Sequence, residues 1–116
     1  MAERREHFPA TAGAVEAVIG TFVVPASAAF RITDVRCTSK SGGPVTFRLR
    51  LGTLTGAEIS RMVLNGVTTL QADFKTPFRI DGAPGGTTGQ TVVVTVVADG
   101  ATAPIDVSET LVGQQD

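Results

Sequence analysis

Strict alternation of apolar and polar side chains is the feature of this sequence that most constrains its fold. Between residues 45 and 51, valine, phenylalanine and two leucines take every second position, with threonine and two arginines between them. Successive side chains of a β-strand point to opposite faces, so this period of two predicts a strand with one buried face. Residues 92–97 are apolar at nearly every position, which predicts a central strand or one covered by a partner.

Similar runs recur along the chain, and short turn segments separate them. The sequence contains 15 valines and 16 threonines, which favour strands, and 13 glycines and 6 prolines, which interrupt them. We predict about eight strands, near residues 14–24, 29–37, 44–52, 59–64, 67–74, 77–81, 91–98 and 104–112. Many short strands joined by frequent turns indicate an all-β fold, either a sandwich or a barrel.

Three local signals refine this prediction. A change of phase at Thr33-Asp34 predicts a β-bulge. The Asn65-Gly66 pair predicts a tight hairpin between two strands. Residues 56–64 are ambiguous, because residues 55–58 fit a helix capping box and Asn65-Gly66 could end a short helix. We favour a strand there, since the apolar runs on both sides of Asn65-Gly66 have matching lengths.

The N-terminal residues 1–13 are charged and lack the alternation seen elsewhere. They predict a flexible arm outside the core, followed by a single β-sandwich domain over residues 14–116. Such an arm is either a frayed terminus or a segment that becomes ordered on a neighbouring subunit.

The composition excludes several classes of function. Ten basic and eleven acidic residues give a net charge of −1, so we expect neither nucleic-acid binding nor a basic membrane anchor. One cysteine and one histidine exclude a disulfide framework and a zinc site built from several such residues. His7 lies in the predicted arm, and Cys37 ends an apolar strand, where a buried thiol packs as a small hydrophobe. We therefore predict no catalytic residue, no cofactor and no metal.

Arginine is the surface feature that indicates a partner, because eight of the ten basic residues are arginines. Arg48 and Arg50 share the polar face of one strand. We expect Arg31 and Arg36 on the same face of a strand paired with it through the turn at residues 41–44. Arginine binds carboxylates in a bidentate manner and is enriched at interfaces. The predicted interface consists of Arg4, Arg5, Arg31, Arg36, Arg48 and Arg50. The alternative is a solvated face whose arginines pair with Asp34 or Asp73.

The segments 20–25, 30–35, 43–52 and 78–80 together resemble small jelly-roll proteins of tailed-phage virions. These proteins include head decoration proteins, head fibres and receptor-binding or baseplate modules. The resemblance spans roughly residues 14–112, and it implies a jelly-roll-like, antiparallel β-sandwich. It contains no motif with an assigned role, so no functional residue carries over from it.

The resemblance implies a non-enzymatic structural virion protein, above all a capsid decoration, or cement, protein that reinforces the phage head. Its implied partners are copies of itself, as a trimer, and the major capsid protein. The implied location is the capsid surface, after synthesis in the host cytoplasm. A tail-fibre or baseplate host-recognition module is an alternative. A cellular carbohydrate-binding or adhesion module is another, although the absence of tryptophan and tyrosine counts against it.

Overall fold

The computed structural model describes residues 2–25, 28–81, 91–100 and 103–115. Over these ranges the chain forms eight strands: β1 (Ala2–Ala12), β2 (Ala17–Val23), β3 (Ala29–Ser39), β4 (Val45–Leu51), β5 (Glu58–Leu64), β6 (Thr68–Asp81), β7 (Thr91–Ala98) and β8 (Ile105–Gln115). This part of the chain has no helix that could span a membrane.

The strands form two antiparallel four-stranded sheets, packed face to face. The first sheet has the order β1-β8-β3-β6, and the second has the order β2-β7-β4-β5. Consecutive strands lie in opposite sheets except β4 and β5, so the chain crosses between the sheets at nearly every turn. This is the arrangement of a jelly roll. The predicted all-β, jelly-roll-like sandwich is therefore confirmed.

Alternation along the strands places the core between the two sheets. Phe22, Phe30 and Phe47 are fully buried there, and the rings of Phe22 and Phe30 lie 4.4 Å apart between centroids. In β4 the inward residues Phe47 and Leu49 are both 1% exposed. The valine-rich strand β7 lies inside the second sheet, between β2 and β4, as the sequence predicts for a central strand.

Two local predictions are confirmed, and a third is modified. The pairing of β3 with both β6 and β8 shifts register between Ile32 and Asp34, which is the predicted bulge. The ambiguous segment is a strand, β5, and not a helix. The two strands predicted at residues 67–74 and 77–81 are one continuous strand, β6.

The predicted hairpin at Asn65-Gly66 is wrong, because β5 and β6 belong to different sheets. The turn at residues 41–44 likewise joins β3 of the first sheet to β4 of the second. The consecutive strands that pair with each other are β4 and β5, joined through residues 52–57. Turn residues encode a reversal of the chain, and they do not encode whether the next strand returns to the same sheet.

The predicted arm is also wrong for residues 2–12. They form the edge strand β1, which pairs with β8 through eleven residue pairs from Ala2↔Gln115 to Ala12↔Ile105. Phe8 anchors this strand, since its ring lies against Gly20 of β2, where a Cβ atom would collide with it. The alternation of apolar and polar residues did not indicate this strand, because two of its inward positions carry the charged residues Arg4 and Glu6.

Candidate functional site

Arg48 and Arg50 lie on the outward face of β4, where two glutamates of the same chain hold them. Glu16, in the loop before β2, accepts hydrogen bonds from Arg48 Nη1 at 2.5 Å and Arg50 Nε at 2.9 Å. Arg48 Nε also donates to Glu58 Oε1 at 3.0 Å. Arg61 donates to the same oxygen at 3.0 Å. We call Glu16, Arg48, Arg50 and Glu58 the Glu16 network.

The Glu16 network covers the outer side of β7. Arg48 lies opposite Thr95 in the sheet and Arg50 opposite Val93, and both β7 residues are buried. The hydrogen bond from Arg50, supported by the charges of Arg48 and Arg50, lowers the pKa of Glu16. Val93, on the outward face of β7, is thus covered by the chain's own ion pairs. The acids paired with these two arginines are Glu16 and Glu58, rather than the expected Asp34 or Asp73.

A polar groove of about 370 Å³ lies on the outward face of the first sheet, along β8. Thr110 and Val112 of β8 form its floor, because they are shorter than the side chains on the neighbouring strands. Residues of β1 form one wall, and residues of β3 and β6 form the other. We call this the β8 groove, lined by Glu3, Arg5, His7, Asp34, Arg36, Gln71, Thr110 and Val112.

Hydrogen bonds within the β8 groove fix some of its side chains. His7 Nδ1 lies 2.8 Å from Thr110 Oγ1. Arg36 Nη2 donates to Gln71 Oε1 at 2.9 Å. The guanidinium of Arg5 is 3.8 Å from Glu3, and its side chain is 64% exposed, so this ion pair is loose. Two guanidinium groups therefore stand on opposite walls, whose strands are about 10 Å apart.

The structure distributes the six predicted interface arginines over three environments. Arg5 and Arg36 line the β8 groove, and Arg31 lies on the same outward face of β3. Arg4 points inward, where its guanidinium stacks 3.8 Å from the centroid of the Phe22 ring and donates to the carbonyl of Val23.

The last two arginines, Arg48 and Arg50, belong to the Glu16 network. The expectation that Arg31 and Arg36 share their face is wrong, because β3 and β4 lie in opposite sheets. A role of any of the six in contacting a partner stays a prediction.

Glu109 is an ionisable residue inside the core, at the position that breaks the apolar face of β8. It is 1% exposed, and it stands opposite Phe8 of β1 and Cys37 of β3. Its Oε2 atom has no hydrogen-bond partner among the described residues. Burial raises the pKa of Glu109 to about 8. The sequence signal was a glutamate in phase with inward Ile105 and Leu111, but nothing in it showed that the carboxyl would lack a partner.

Cys37 is fully buried beside Glu109, and its Sγ atom lies 3.5 Å from Met62 Sδ. Burial, with a smaller effect of the Glu109 charge, raises the pKa of the thiol far above its usual range. Because the thiolate is the reactive form, we expect no reaction of the native protein with a disulfide reagent such as dithionitrobenzoate at pH 8. The same assay in guanidinium chloride should release one equivalent of chromophore.

Thr38→Cys provides the positive control for this measurement, because residue 38 lies on the opposite face of the same strand. We expect one rapidly reacting thiol in that native variant. Reaction of Cys37 in the native wild type as fast as in the unfolded chain would contradict a buried, protonated thiol.

Exposed aliphatic side chains flank the two lateral edges of the sandwich. One edge is formed by β1 and β2, and the opposite edge by β5 and β6. We use "β2 edge" for Val15, Val18 and Val23, and "β5–β6 edge" for Val63, Val67 and Leu70. These six side chains are between 42% and 79% exposed.

Among the described residues, no three histidine, cysteine, aspartate or glutamate side chains are grouped so that they could hold a metal ion. No protein-family model matches the sequence, and no curated protein does.

The chain is similar to several solved structures. A protein of Bacillus endospore appendages, described as disulfide-linked pili, is similar over 98% of this chain and 85% of its own, with a TM-score of 0.60 and 16% identity. PirA is similar over 93% of this chain and 90% of its own, with a TM-score of 0.49 and 11% identity. A chain of infectious bursal disease virus, Gx strain, has a TM-score of 0.41 and 12% identity over 97% of this chain and 33% of its own. Of these, the likeness to the endospore appendage protein shows a common fold, and at 16% identity it shows the fold alone.

Proposed function

We propose that this chain is a non-enzymatic structural protein that assembles with copies of itself on an extracellular particle, and that it decorates a bacteriophage head. The observation that carries this proposal is the pair of lateral edges. Each edge is formed by strands that are hydrogen-bonded to a neighbour on one side only, and exposed valine or leucine side chains lie beside them. Such edges are templates for pairing with another chain, and soluble monomers usually protect them.

The two edges lie on opposite sides of the molecule, so a contact between the β2 edge and the β5–β6 edge is head to tail. A head-to-tail contact closes into a ring if the rotation between subunits permits it, and otherwise continues as a filament. A closed ring of three corresponds to the trimer that the sequence resemblance implies. Contacts of this kind gain free energy mainly by removing the aliphatic side chains from water.

The fold shared with Bacillus endospore appendages favours a second candidate, a subunit of a surface filament. Those appendages are described as disulfide-linked pili. This chain has a single cysteine, Cys37, which is buried. Copies of this chain in their folded state would therefore associate without disulfides between them.

The β8 groove is the proposed contact with the particle itself. Arg5 and Arg36 stand on its two walls, and guanidinium groups pair with carboxylates through two parallel hydrogen bonds. Arg31 extends this surface on the same strand as Arg36. A head protein that offers acidic side chains would add carboxylate contacts to the guanidinium groups of this surface, and salt would weaken these contacts.

Edge variants test self-association. We expect wild-type protein to form oligomers with rising concentration, measured by size exclusion with light scattering. Val18→Glu with Val23→Glu should give monomers, because it places charge on the β2 edge, and Val63→Glu with Val67→Glu should do the same on the opposite edge. A mixture of the two variants should give dimers and nothing larger, since each supplies one intact edge.

Leu54→Glu is the matched control, because it also places a carboxylate at an exposed aliphatic position, but in the β4–β5 loop; it should assemble like the wild type. Monomeric wild type at every soluble concentration would contradict self-assembly. Dimers formed by one edge variant alone would show that its intact edge pairs with itself, which contradicts the head-to-tail contact.

Co-sedimentation with phage heads tests the decoration role. Wild-type protein should pellet with heads that lack it, and Arg5→Glu with Arg36→Glu should remain in the supernatant while still forming oligomers. If the protein does not bind heads but slows phage adsorption to cells, the result would favour host recognition over head decoration. Filaments formed without heads, seen by electron microscopy, would favour the appendage role. Binding on a glycan array would favour a carbohydrate-binding module.

A further inference from the structure

We propose that strand β1 is held in place by the protonated form of Glu109 and leaves β8 when this carboxyl loses its proton. Glu109 lies in the core with 1% of its surface exposed, and its Oε2 atom has no hydrogen-bond partner among the described residues. A neutral carboxylic acid is tolerated in such surroundings at moderate cost. A carboxylate without a partner costs several times more, so its ionisation favours any motion that lets water reach it.

None of the charged or titratable side chains described around Glu109 would pair with its carboxylate. On β1 the inward residues Arg4 and Glu6 pair with each other at 3.1 Å. On β3 the facing group is the thiol of Cys37, which stays protonated because burial raises its pKa. Among the described side chains of β2, β4, β5 and β7, the charged ones lie on outward or exposed positions. An ionised Glu109 therefore finds no cation beside it among the described side chains.

Because β1 is an edge strand, it is the neighbour of Glu109 that we expect to detach from β8. Glu109 is flanked in its sheet by β1 and β3, and β3 is hydrogen-bonded on both sides, to β8 and β6. β1 is bonded on one side only, to β8. Its inward face carries the ion pair of Arg4 and Glu6 besides Phe8, Ala10 and Ala12, so only part of that face contributes apolar surface to the core. Phe8 stands directly opposite Glu109, and its removal would open the carboxyl to water.

Loss of β1 differs from unfolding of the whole chain, because the second sheet and strands β8, β3 and β6 can keep their pairing. Partial opening of this kind is common for edge and terminal elements. Above the pH at which Glu109 ionises, β1 would be the mobile arm that its charged sequence suggests. Below that pH, β1 would stay paired with β8.

Hydrogen–deuterium exchange with mass spectrometry, between pH 5.5 and pH 9 and corrected for intrinsic exchange, tests the proposal on the full chain. We expect protection of residues 2–12 to fall at least tenfold over this range and to stay below that of β4 and β7, which exchange only through unfolding of the whole chain. In Glu109→Gln, protection of β1 should not depend on pH. Glu109→Leu should behave in the same way, and it keeps the test open if the glutamine variant folds poorly.

Two controls separate Glu109 from other titrating groups of this region. His7→Gln removes the histidine on the outward face of β1, and Glu6→Gln removes the other carboxylate of its inward face; both should retain the wild-type response to pH. The proposal is overturned if β1 protection is constant in the wild type, or if it falls equally in Glu109→Gln. Equal protection of β1 and β7 at every pH would also overturn it, because that result indicates that β1 opens only by global unfolding.

Discussion

Raising the pH from 5 to 7 is expected to lower the free energy of unfolding of this protein by about 3 kcal/mol. Burial raises the pKa of Glu109 to about 8, from an ordinary value of 4.5. Between these two values the folded chain retains a proton that the unfolded chain has released. Each pH unit in this window therefore costs about 1.4 kcal/mol of stability, and the loss ends once the folded carboxyl has ionised.

The Glu16 network gives the opposite dependence at lower pH. The hydrogen bond from Arg50 lowers the pKa of Glu16 below 4.5. The contribution of Glu16 to the free energy of unfolding is complete above pH 4.5 and is lost as the pH falls through the lowered pKa. Glu58, whose pKa is lowered chiefly by Arg61, acts in the same direction. Stability is therefore expected to reach its maximum at about pH 5 and to decline on both sides.

Urea unfolding at pH 5, 6, 7 and 8 measures this dependence. Glu109→Leu should abolish the decline above pH 5 and should be more stable than the wild type at pH 8, because leucine fills a similar volume without a charge. Equal stability of the wild type at pH 5 and pH 7 would contradict the buried carboxyl. If the free energy of unfolding still declines above pH 5 in Glu109→Leu, the decline comes from another titratable group.

Release of β1 sets a limit to this loss of stability. Once the strand has left, Glu109 is exposed to water, and further increases in pH no longer penalise the remaining fold. The stability curve should then flatten at the pH where exchange protection of β1 disappears. Agreement between these two pH values would link the local opening to the global measurement, whereas flattening without loss of β1 protection would separate them.

Local pattern predicted the strands well where one face is buried. Phe47 and Leu49 alternate with Arg48 and Arg50, and this period required a strand whatever its neighbours were. The bulge near Asp34 was predictable for the same reason, because a change of phase in the alternation must be absorbed by an extra residue. The central position of β7 followed from its apolar residues on both faces.

The assignment of strands to sheets could not be predicted from these signals. A jelly roll places consecutive strands in opposite sheets, and the residues of a turn such as Asn65-Gly66 are the same whether the next strand pairs or crosses. The predicted arginine face failed for this reason. β1 was missed because Arg4 and Glu6 break its alternation, and their inward placement depends on Phe22, which becomes a neighbour only in the folded chain.

The candidate surfaces depended on contacts between distant parts of the sequence. Glu16 pairs with Arg48 and Arg50 over a separation of 32 and 34 residues. No spacing rule connects a glutamate in one loop with arginines on a strand so far away. The β8 groove likewise combines side chains from four strands, so its position followed only from the sheet order.

Replacing Arg48 and Arg50 together with glutamate is expected to destabilise the isolated subunit clearly more than a change at an exposed arginine does, whatever it does to assembly. The change would gather four carboxylates, two of them Glu16 and Glu58, above the buried Val93 and Thr95 of β7. The side chains of the network are no more than one-third exposed, so solvent screens their repulsion only in part. Loss of assembly in this variant would therefore reflect damage to the subunit itself.

Urea unfolding at pH 7 of a monomeric edge variant carrying these changes separates stability from association. Arg5→Glu is the matched control, since its side chain is 64% exposed and loosely paired, and it should change stability by less than about 0.5 kcal/mol. Adding Glu16→Arg to the double variant should recover part of the loss, because it restores opposite charges across the network. A double variant as stable as the control would show that the Glu16 network does not support β7, and its arginines would again be free to serve a partner.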